Sequence, residues 1–541
     1  MWNQNYDPLN SWWLSALCAA LPTFVLLGAI GFLRIKAHWS ALLGLGSALA
    51  IALVVYGMPM EQAAGAALFG AAYGLFPIGW IIFNVIFLYT LTYEKGAFQI
   101  VQGSLTRITQ DCRLQLLLIA FAFGAFFEGA AGFGTPVAIT AAILVGLGFP
   151  PLTACAMSLL ANTAPVAFGA LGTPILALAG VTGLDPLKLS AMVGRQLPIF
   201  SALIPIWLIW TFAGFRRMVE VLPALLVAGF GFAIPQFLIS NFHGPWLVDI
   251  LASLTSMSTL TAFLLVWRPR EIMRLEGRPQ VEATPFLRAE LVRAWSPWAI
   301  LSVGVFLWGI PAVKGSLDGI SCLNFPVASL HHLVQRMPPI VRLPTAEGAV
   351  FNLNWLSATG TAILVVALLT AGLLGYRPAE VARVAWATLK RVRHSLVTVT
   401  AMLALGYTTR YAGLDGTLGL AFAKTGGFYP FFGALLGWIG VALTGSDTSS
   451  NVMFGGLQRV TAEQLGISPV LMASANSTGG VMGKMIDAQS IVVASTATRW
   501  YGHESEILRK VFIPSLAFAT LVGLLVTLQA YVFPFTGWVV R

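Results

Sequence analysis

Residues 13–33, 39–58, 70–92, 219–239 and 512–533 each run for about 20 positions with at most one charged side chain, enough for a helix to cross a bilayer core. In lipid only a helix or a closed barrel can satisfy its own backbone, so stretches of this length admit one class of fold. The whole chain fits that class, with 57% hydrophobic and 10% charged residues over 541 positions. The expectation is an all-α polytopic membrane protein with about 12–14 membrane segments.

The formal net charge of +10 suggests anionic partners until its distribution is read. Most of the 31 Lys and Arg residues fall in short connections: Arg34/Lys36, Lys95–Arg113, Arg216/Arg217, Arg268–Arg293, Arg377–Arg393 and Arg499–Lys510. Basic loops mark the cytoplasmic side, and alternating from them places the N-terminus outside. Nucleic-acid binding has no support in this pattern. The segment before Trp12 lacks the basic start of a signal peptide and leads into a stretch long enough to span, so a first helix is expected there. Cys18, Cys112, Cys155 and Cys322 show no metal-ligand spacing and read as packing residues. The pair His331-His332 in an external loop is a weak metal signal.

Two polar, glycine-rich interruptions break the apolar pattern, one in each half. The first is Phe127-Glu128-Gly-Ala-Ala-Gly-Phe-Gly-Thr-Pro136, followed by Ala161-Asn162-Thr163-Ala-Pro165. The second is Thr444-Gly-Ser-Asp447-Thr-Ser-Ser-Asn451, followed by Ala475-Asn476-Ser477-Thr478-Gly-Gly480. Such groups are costly at membrane depth unless they line a cavity. Apolar pieces of about 14–18 residues flank the first break, short for straight crossings at 1.5 Å per residue. Re-entrant hairpins over 114–149 and 418–458 fit better, with broken helices at Asn162–Pro165 and Asn476–Gly480. The charge-derived orientation opens the first hairpin to the cytoplasm and the second to the outside, the arrangement of inverted repeats around a midplane site. The organisation read from this is a membrane half over 1–267, a cytoplasmic basic linker over 268–296 and a second membrane half over 297–541.

Glu128, Asp447 and Asp487 are the acids expected well inside these core segments. A carboxyl group that binds a proton on one side and releases it on the other can couple transport, so Glu128 and Asp447 are proton-coupling candidates. The competing reading is an acid satisfied by its own hairpin tip. Thr135, Asn162, Thr163, Ser446, Thr448, Ser449, Asn476, Ser477 and Thr478 supply hydroxyls and amides suited to a small hydroxylated carboxylate, although such residues also serve helix packing. Lys484 is the deepest cation and a candidate counter-charge. Asp487 follows it at helical spacing, which favours a local ion pair. Arg195 is a candidate anion contact at the entry, or a snorkelling side chain. No phosphate-binding loop signature is present, and no cofactor is implied.

The chain resembles the L-lactate permease family, which includes glycolate-transporting members. The resemblance rests on Phe126-Phe-Glu-Gly-Ala-Ala-Gly-Phe-Gly-Thr-Pro-Val-Ala-Ile-Thr140, Asn162-Thr-Ala-Pro-Val-Ala-Phe-Gly169, Met192-Val-Gly-Arg-Gln-Leu-Pro198, Leu443-Thr-Gly-Ser-Asp-Thr-Ser-Ser-Asn451 and Thr478-Gly-Gly-Val-Met-Gly-Lys-Met-Ile486. Trp2-Asn-Gln-Asn-Tyr-Asp-Pro8 and Leu528-Gln-Ala-Tyr531 add to it. It covers essentially the whole chain and implies a multi-pass carrier of the bacterial inner membrane that moves small 2-hydroxymonocarboxylates with protons. Two positions depart from the family pattern: Asp487-Ala488 stands where Ser-Pro is expected, and Arg410 where a neutral polar residue is expected.

The function expected is therefore secondary active uptake of lactate, glycolate or a related 2-hydroxymonocarboxylate by proton symport. The alternative is a sodium-coupled organic-anion carrier, because Asn-Thr and Asn-Ser breaks can coordinate sodium. An intramembrane enzyme would need a metal cluster or a nucleophile–base pair among these segments, and none is visible. A channel would show neither saturation nor counterflow. Oligomeric state leaves no mark on the sequence.

Overall fold

The computed structural model describes residues 1–31, 33, 35–106, 108–130, 135–275, 287–341, 343–500 and 503–540. Among them nine helices are long and apolar enough to cross a membrane, or ten with the bent pair Pro151–Ala161 and Val166–Thr182. Four shorter apolar helices accompany them. The only strands among the described residues are short: Val334–Arg336 pairs in parallel with Trp2–Asn3 and antiparallel with Thr345–Ala346, and Cys322–Pro326 pairs antiparallel with Val350–Asn354. The fold is the all-α polytopic membrane class.

Burial sorts the helices into an enclosed centre and a peripheral ring. Every residue from Cys112 to Ala130 is buried, as is every residue from Gly169 to Thr182. A helix that is apolar all round and wholly covered lies inside the bundle, with no face to lipid. The ring turns large apolar side chains outward instead, among them Trp13, Phe24, Phe230, Leu265, Leu369 and Ile513. The 35-residue helix Pro378–Ala412 is one of its struts and packs on Ala37–Val54 and Met60–Tyr73.

The enclosed centre is built twice. In the first half, Cys112–Ala130 is followed by Thr135–Gly146, then Pro151–Ala161, a break and Gly169–Thr182. In the second, Tyr429–Thr444 is followed after a two-residue turn by Asp447–Leu465, then Pro469–Gly483, a break and Ala488–Ala497. The halves exchange partners. Gly169–Thr182 packs on Asp447–Leu465, while Ala488–Ala497 packs on Thr135–Gly146. The helices that follow cross over likewise: Pro186–Ala213 packs on Pro469–Gly483, and Glu504–Tyr531 packs on Pro151–Ala161. Each half therefore supplies a wall of the other's core.

The two breaks differ in chemistry. The first bends the chain by 64° and then carries Ala170, Leu171 and Gly172 through left-handed backbone, with φ of 43°, 55° and 79°. Three such residues in a row, one a leucine, hold strain that the surrounding packing must enforce. The second break is a single 3-10 turn, Lys484–Ile486, with Asp487 extended after it. The expectation that Asn476–Gly480 interrupts its segment is corrected here, because Pro469–Gly483 is continuous helix through those residues. Its small residues let it lie against Tyr429–Thr444 at backbone contact, where a side chain on Gly479 would meet the Ala434 carbonyl. Its hydroxyls find neighbours, so nothing forces the helix open.

The loops expected on the cytoplasmic side meet on one face. Arg113 pairs with Asp111 and Glu220 at 2.7 Å each and donates to the carbonyl oxygens of Arg217 and Glu271. Glu94 and Arg383 approach to 3.5 Å on that face. The strands and the N-terminal segment cover the opposite end, where Gln4 donates to the Arg410 and Tyr411 carbonyls at 3.0 and 2.8 Å.

Candidate substrate site

A cavity of about 240 Å³ lies where the two halves meet, lined by residues of Cys112–Ala130, of the Tyr429–Thr444 and Asp447–Leu465 pair, and of both breaks. Glu128, Gly169, Ala170 and Thr173 come from the first half; Thr444 to Ser449, Lys484 and Gln489 come from the second. His38 and His394, stacked with ring centroids 4.6 Å apart, and Ser395 line one end. That end lies beside Lys36 and Arg393, so the cavity opens toward the basic face.

Glu128 occupies the last turn of the helix Gly124–Ala130. Its Oε2 accepts from Asn162 Nδ2 at 3.1 Å, tying the helix end to the first break. Gly169 leaves the space the carboxyl occupies, since a Cβ there would stand 2.7 Å from Glu128 Oε1. Asn162 Oδ1 and Thr163 Oγ1 are buried with no hydrogen-bond partner among the described residues. Thr135 opens the returning helix, and its side chain lies outside the described part.

Asp447 is the first residue of its helix, after Ser446, whose Oγ accepts from the Ser449 amide at 3.2 Å in an N-cap. Asp447 Oδ2 accepts from Ser477 Oγ at 2.5 Å and Asn451 Nδ2 at 3.1 Å, while its Oδ1 has no partner among the described residues. Asn451 Nδ2 also reaches the Pro174 carbonyl oxygen at 3.3 Å, joining this network to the other half's broken helix. Asn476 donates to Asn451 Oδ1 at 3.0 Å and accepts from Gln458. Thr478 turns away and donates to Gln196 Oε1 at 2.6 Å.

Lys484 borders the cavity and donates to the Gly445 carbonyl oxygen at 2.6 Å, fastening the second tip to the second break. Asp487 lies 3.2 Å from its Nζ, and Asp487 caps the next helix by accepting from the Ser490 amide at 2.6 Å.

Of the residues singled out from sequence, Glu128, Ser446, Asp447, Thr448, Ser449 and Lys484 line the cavity. Asn162, Ser477 and Asp487 stand directly behind it as hydrogen-bond or ionic partners, and Asn476 lies one step further back, on Asn451. Arg195 lies elsewhere, donating to Asn241 Oδ1 and the Trp538 carbonyl oxygen. Sequence reasoning missed His38, His394, Thr173 and Gln489, and it left out Asp249. That acid, only 1% exposed, corrects the expectation that Glu128, Asp447 and Asp487 are the acids enclosed by the core. It opens a helix, where an acid is ordinarily read as complementing the dipole.

Chemically, the cavity offers a cation, hydroxyls and the first turn of a helix to an anion, and two carboxyls to protons. With Glu128, Asp447 and Asp487 all charged, negative groups outnumber Lys484 and repel a monocarboxylate. Protonation of Glu128 or Asp447 lowers that repulsion.

Comparison with known proteins agrees with this architecture. Residues 15–533 match the family model described as L-lactate permease. An L-lactate permease of Salmonella typhimurium is 46% identical over 543 residues, 98% of each chain. A glycolate permease of Escherichia coli is 45% identical over 558 residues, covering 100% of this chain and 99% of its own. An L-lactate permease of Bacillus subtilis is 43% identical over 557 residues, covering 98% and 99%. With similarity running end to end and helices enough for repeated crossing, the chain belongs to the L-lactate permease family and is a multi-pass transporter of the bacterial inner membrane.

Proposed function

We propose that this protein takes up lactate, glycolate or a related 2-hydroxymonocarboxylate together with protons, by alternating access. The observation that carries the reading is one cavity holding Glu128, Asp447 and Lys484 at the junction of two exchanged halves. The relatives named lactate and glycolate permeases support the substrate class.

In this mechanism the substrate carboxylate binds against Lys484 and the Ser446–Ser449 turn, and its hydroxyl pairs with the surrounding hydroxyls. Glu128 and, with it, Asp447 take up protons as the anion enters. Coupling is reciprocal: a proton that favours anion binding is itself held more tightly when the anion is present. The state described here opens toward the basic face, where anion and proton are released. Rearrangement at the exchanged contacts, Gly169–Thr182 on Asp447–Leu465 above all, then exposes the same groups to the outside.

Uptake of labelled L-lactate, D-lactate and glycolate into proteoliposomes under imposed pH or sodium gradients tests this. Accumulation driven by the pH gradient is expected. Accumulation driven by sodium and indifferent to pH would replace the proton with sodium as the coupling ion.

A further inference from the structure

We propose that Asp249 is a second protonatable site, one that receives protons from the outer side and passes them to Glu128. The proposal rests on the proton-symport reading above.

Asp249 stands in the first turn of Val248–Val266. That helix ends next to the basic segment beginning at Arg268, about 25 Å away at 1.5 Å per residue. Asp249 therefore belongs to the outer part of the bundle, below the turn carrying His243 and Trp246. Its side chain packs on the end of the helix Gly124–Ala130. A Cβ on Gly129 would stand 2.8 Å from Asp249 Cβ, so the missing side chain at Gly129 is what admits the acid beside Glu128. Glu128 lies within electrostatic range of it. Glu128 borders the cavity open to the basic face, and Asp249 does not. Glu128 thus borders both the helix that carries Asp249 and the cavity.

Both carboxyl oxygens of Asp249 are buried, and neither has a hydrogen-bond partner among the described residues. A buried carboxylate without donors is costly, and a structural acid would be expected to find them. The helices packed against Val248–Val266 offer no other charge. Leu117–Phe123, Gly169–Thr182 and Leu222–Phe242 contain no titratable residue, and Gly124–Ala130 contains Glu128 alone. Beyond Glu128 the next charged pair is Lys484 and Asp487, which acts on Glu128. An isolated acid next to a cavity-lining acid suits proton exchange between them and little else.

In one turnover, once rearrangement brings the two carboxyls within hydrogen-bond reach, the Asp249 O–H bond breaks and an O–H bond forms on the Glu128 carboxylate. Asp249, left as a carboxylate, regains a proton from external water in the outward-open state. Glu128 releases its proton to water in the inward-facing cavity. One proton crosses by this route, beside the one taken up by Asp447, and no other reactant is needed.

The test uses the full-length protein in proteoliposomes, comparing wild type, D249N and D249E for pH-driven lactate accumulation and for lactate counterflow without a gradient. D249N should lose accumulation and keep counterflow, and D249E should restore accumulation. Accumulation by D249N equal to wild type would overturn the proposal, as would loss of counterflow together with accumulation, which marks a packing role. Infrared spectroscopy gives a second readout, since D249N should remove a deuterium-sensitive band of a buried carboxylic acid; spectra identical at every pH would also overturn it. If wild type itself shows no pH-driven accumulation, the symport reading fails first, and this inference fails with it.

Discussion

Lys484 and Asp487 form an ion pair of 3.2 Å in which neither side chain is more than 6% exposed. The pair spans the second break, and the same ammonium holds the Gly445 carbonyl oxygen of the opposing tip. Breaking a buried pair by removing one partner strands the other charge and costs about 3–5 kcal/mol, whereas replacing both is close to neutral. K484M and D487N should each lower the thermal midpoint of purified protein, and the double variant should recover most of the loss. Transport should stay absent in K484M and in the double variant, because the substrate's counter-charge is gone. Lactate uptake by the double variant at the wild-type rate would remove Lys484 from the binding site.

Among the described residues Glu128 has one direct donor, Asn162, and it holds a place on the cavity wall. Glutamine keeps its size and its hydrogen-bonding reach while removing the proton that can be exchanged. E128Q is expected to abolish gradient-driven accumulation and to leave counterflow partly intact. Unchanged accumulation would take Glu128 out of the coupling mechanism.

Gly169 tests the same carboxyl by geometry. An alanine there places a methyl group 2.7 Å from Glu128 Oε1, closer than van der Waals contact allows, so the carboxyl must shift, and with it the Oε2 that accepts from Asn162. G169A should reproduce the coupling defect of E128Q in weaker form, with a normal circular-dichroism spectrum. Coupling equal to wild type would show that the position of the Glu128 carboxyl tolerates displacement.

The membrane class and the two clusters of polar residues were legible in sequence because both are local. Long apolar runs need lipid, and Glu128 or Asp447 inside such runs stands out against its neighbours. The exchange of partners between halves was not legible, because it consists of contacts between residues hundreds of positions apart, such as Asn451 with the Pro174 carbonyl. Asn476 was misread for a related reason: Gly, Ser and Thr in a membrane helix signal either a break or a close-packed face, and only the neighbouring helix decides which. Asp249 carried no warning, since its enclosure comes from the helix end at Gly129 folding over it. His38 and His394 meet only because the helices Ala37–Val54 and Pro378–Ala412 lie side by side.

At the end opposite the basic face, two arginines close on one helix end. Arg410 donates to the Gly180 carbonyl oxygen at 3.0 Å, and Arg459 reaches the Thr182 carbonyl oxygen, so both hold the C-terminus of Gly169–Thr182. Cations at a helix C-terminus satisfy unpaired carbonyls and complement the dipole. Glu347 approaches Arg410 to 3.6 Å, and the N-terminal segment covers the cluster through Gln4. Because this helix is the part of the first half seated against Asp447–Leu465, releasing its end should free the outer face to open. The double variant R410Q/R459Q is therefore expected to populate the outward-open state more than wild type. Labelling of V181C from outside by an impermeant thiol reagent reads this out, with a cysteine-accessibility control at an exposed external position. Faster labelling of V181C in the arginine variant is the expected result. Equal rates in both backgrounds would mean that the arginines cap the helix without holding the gate.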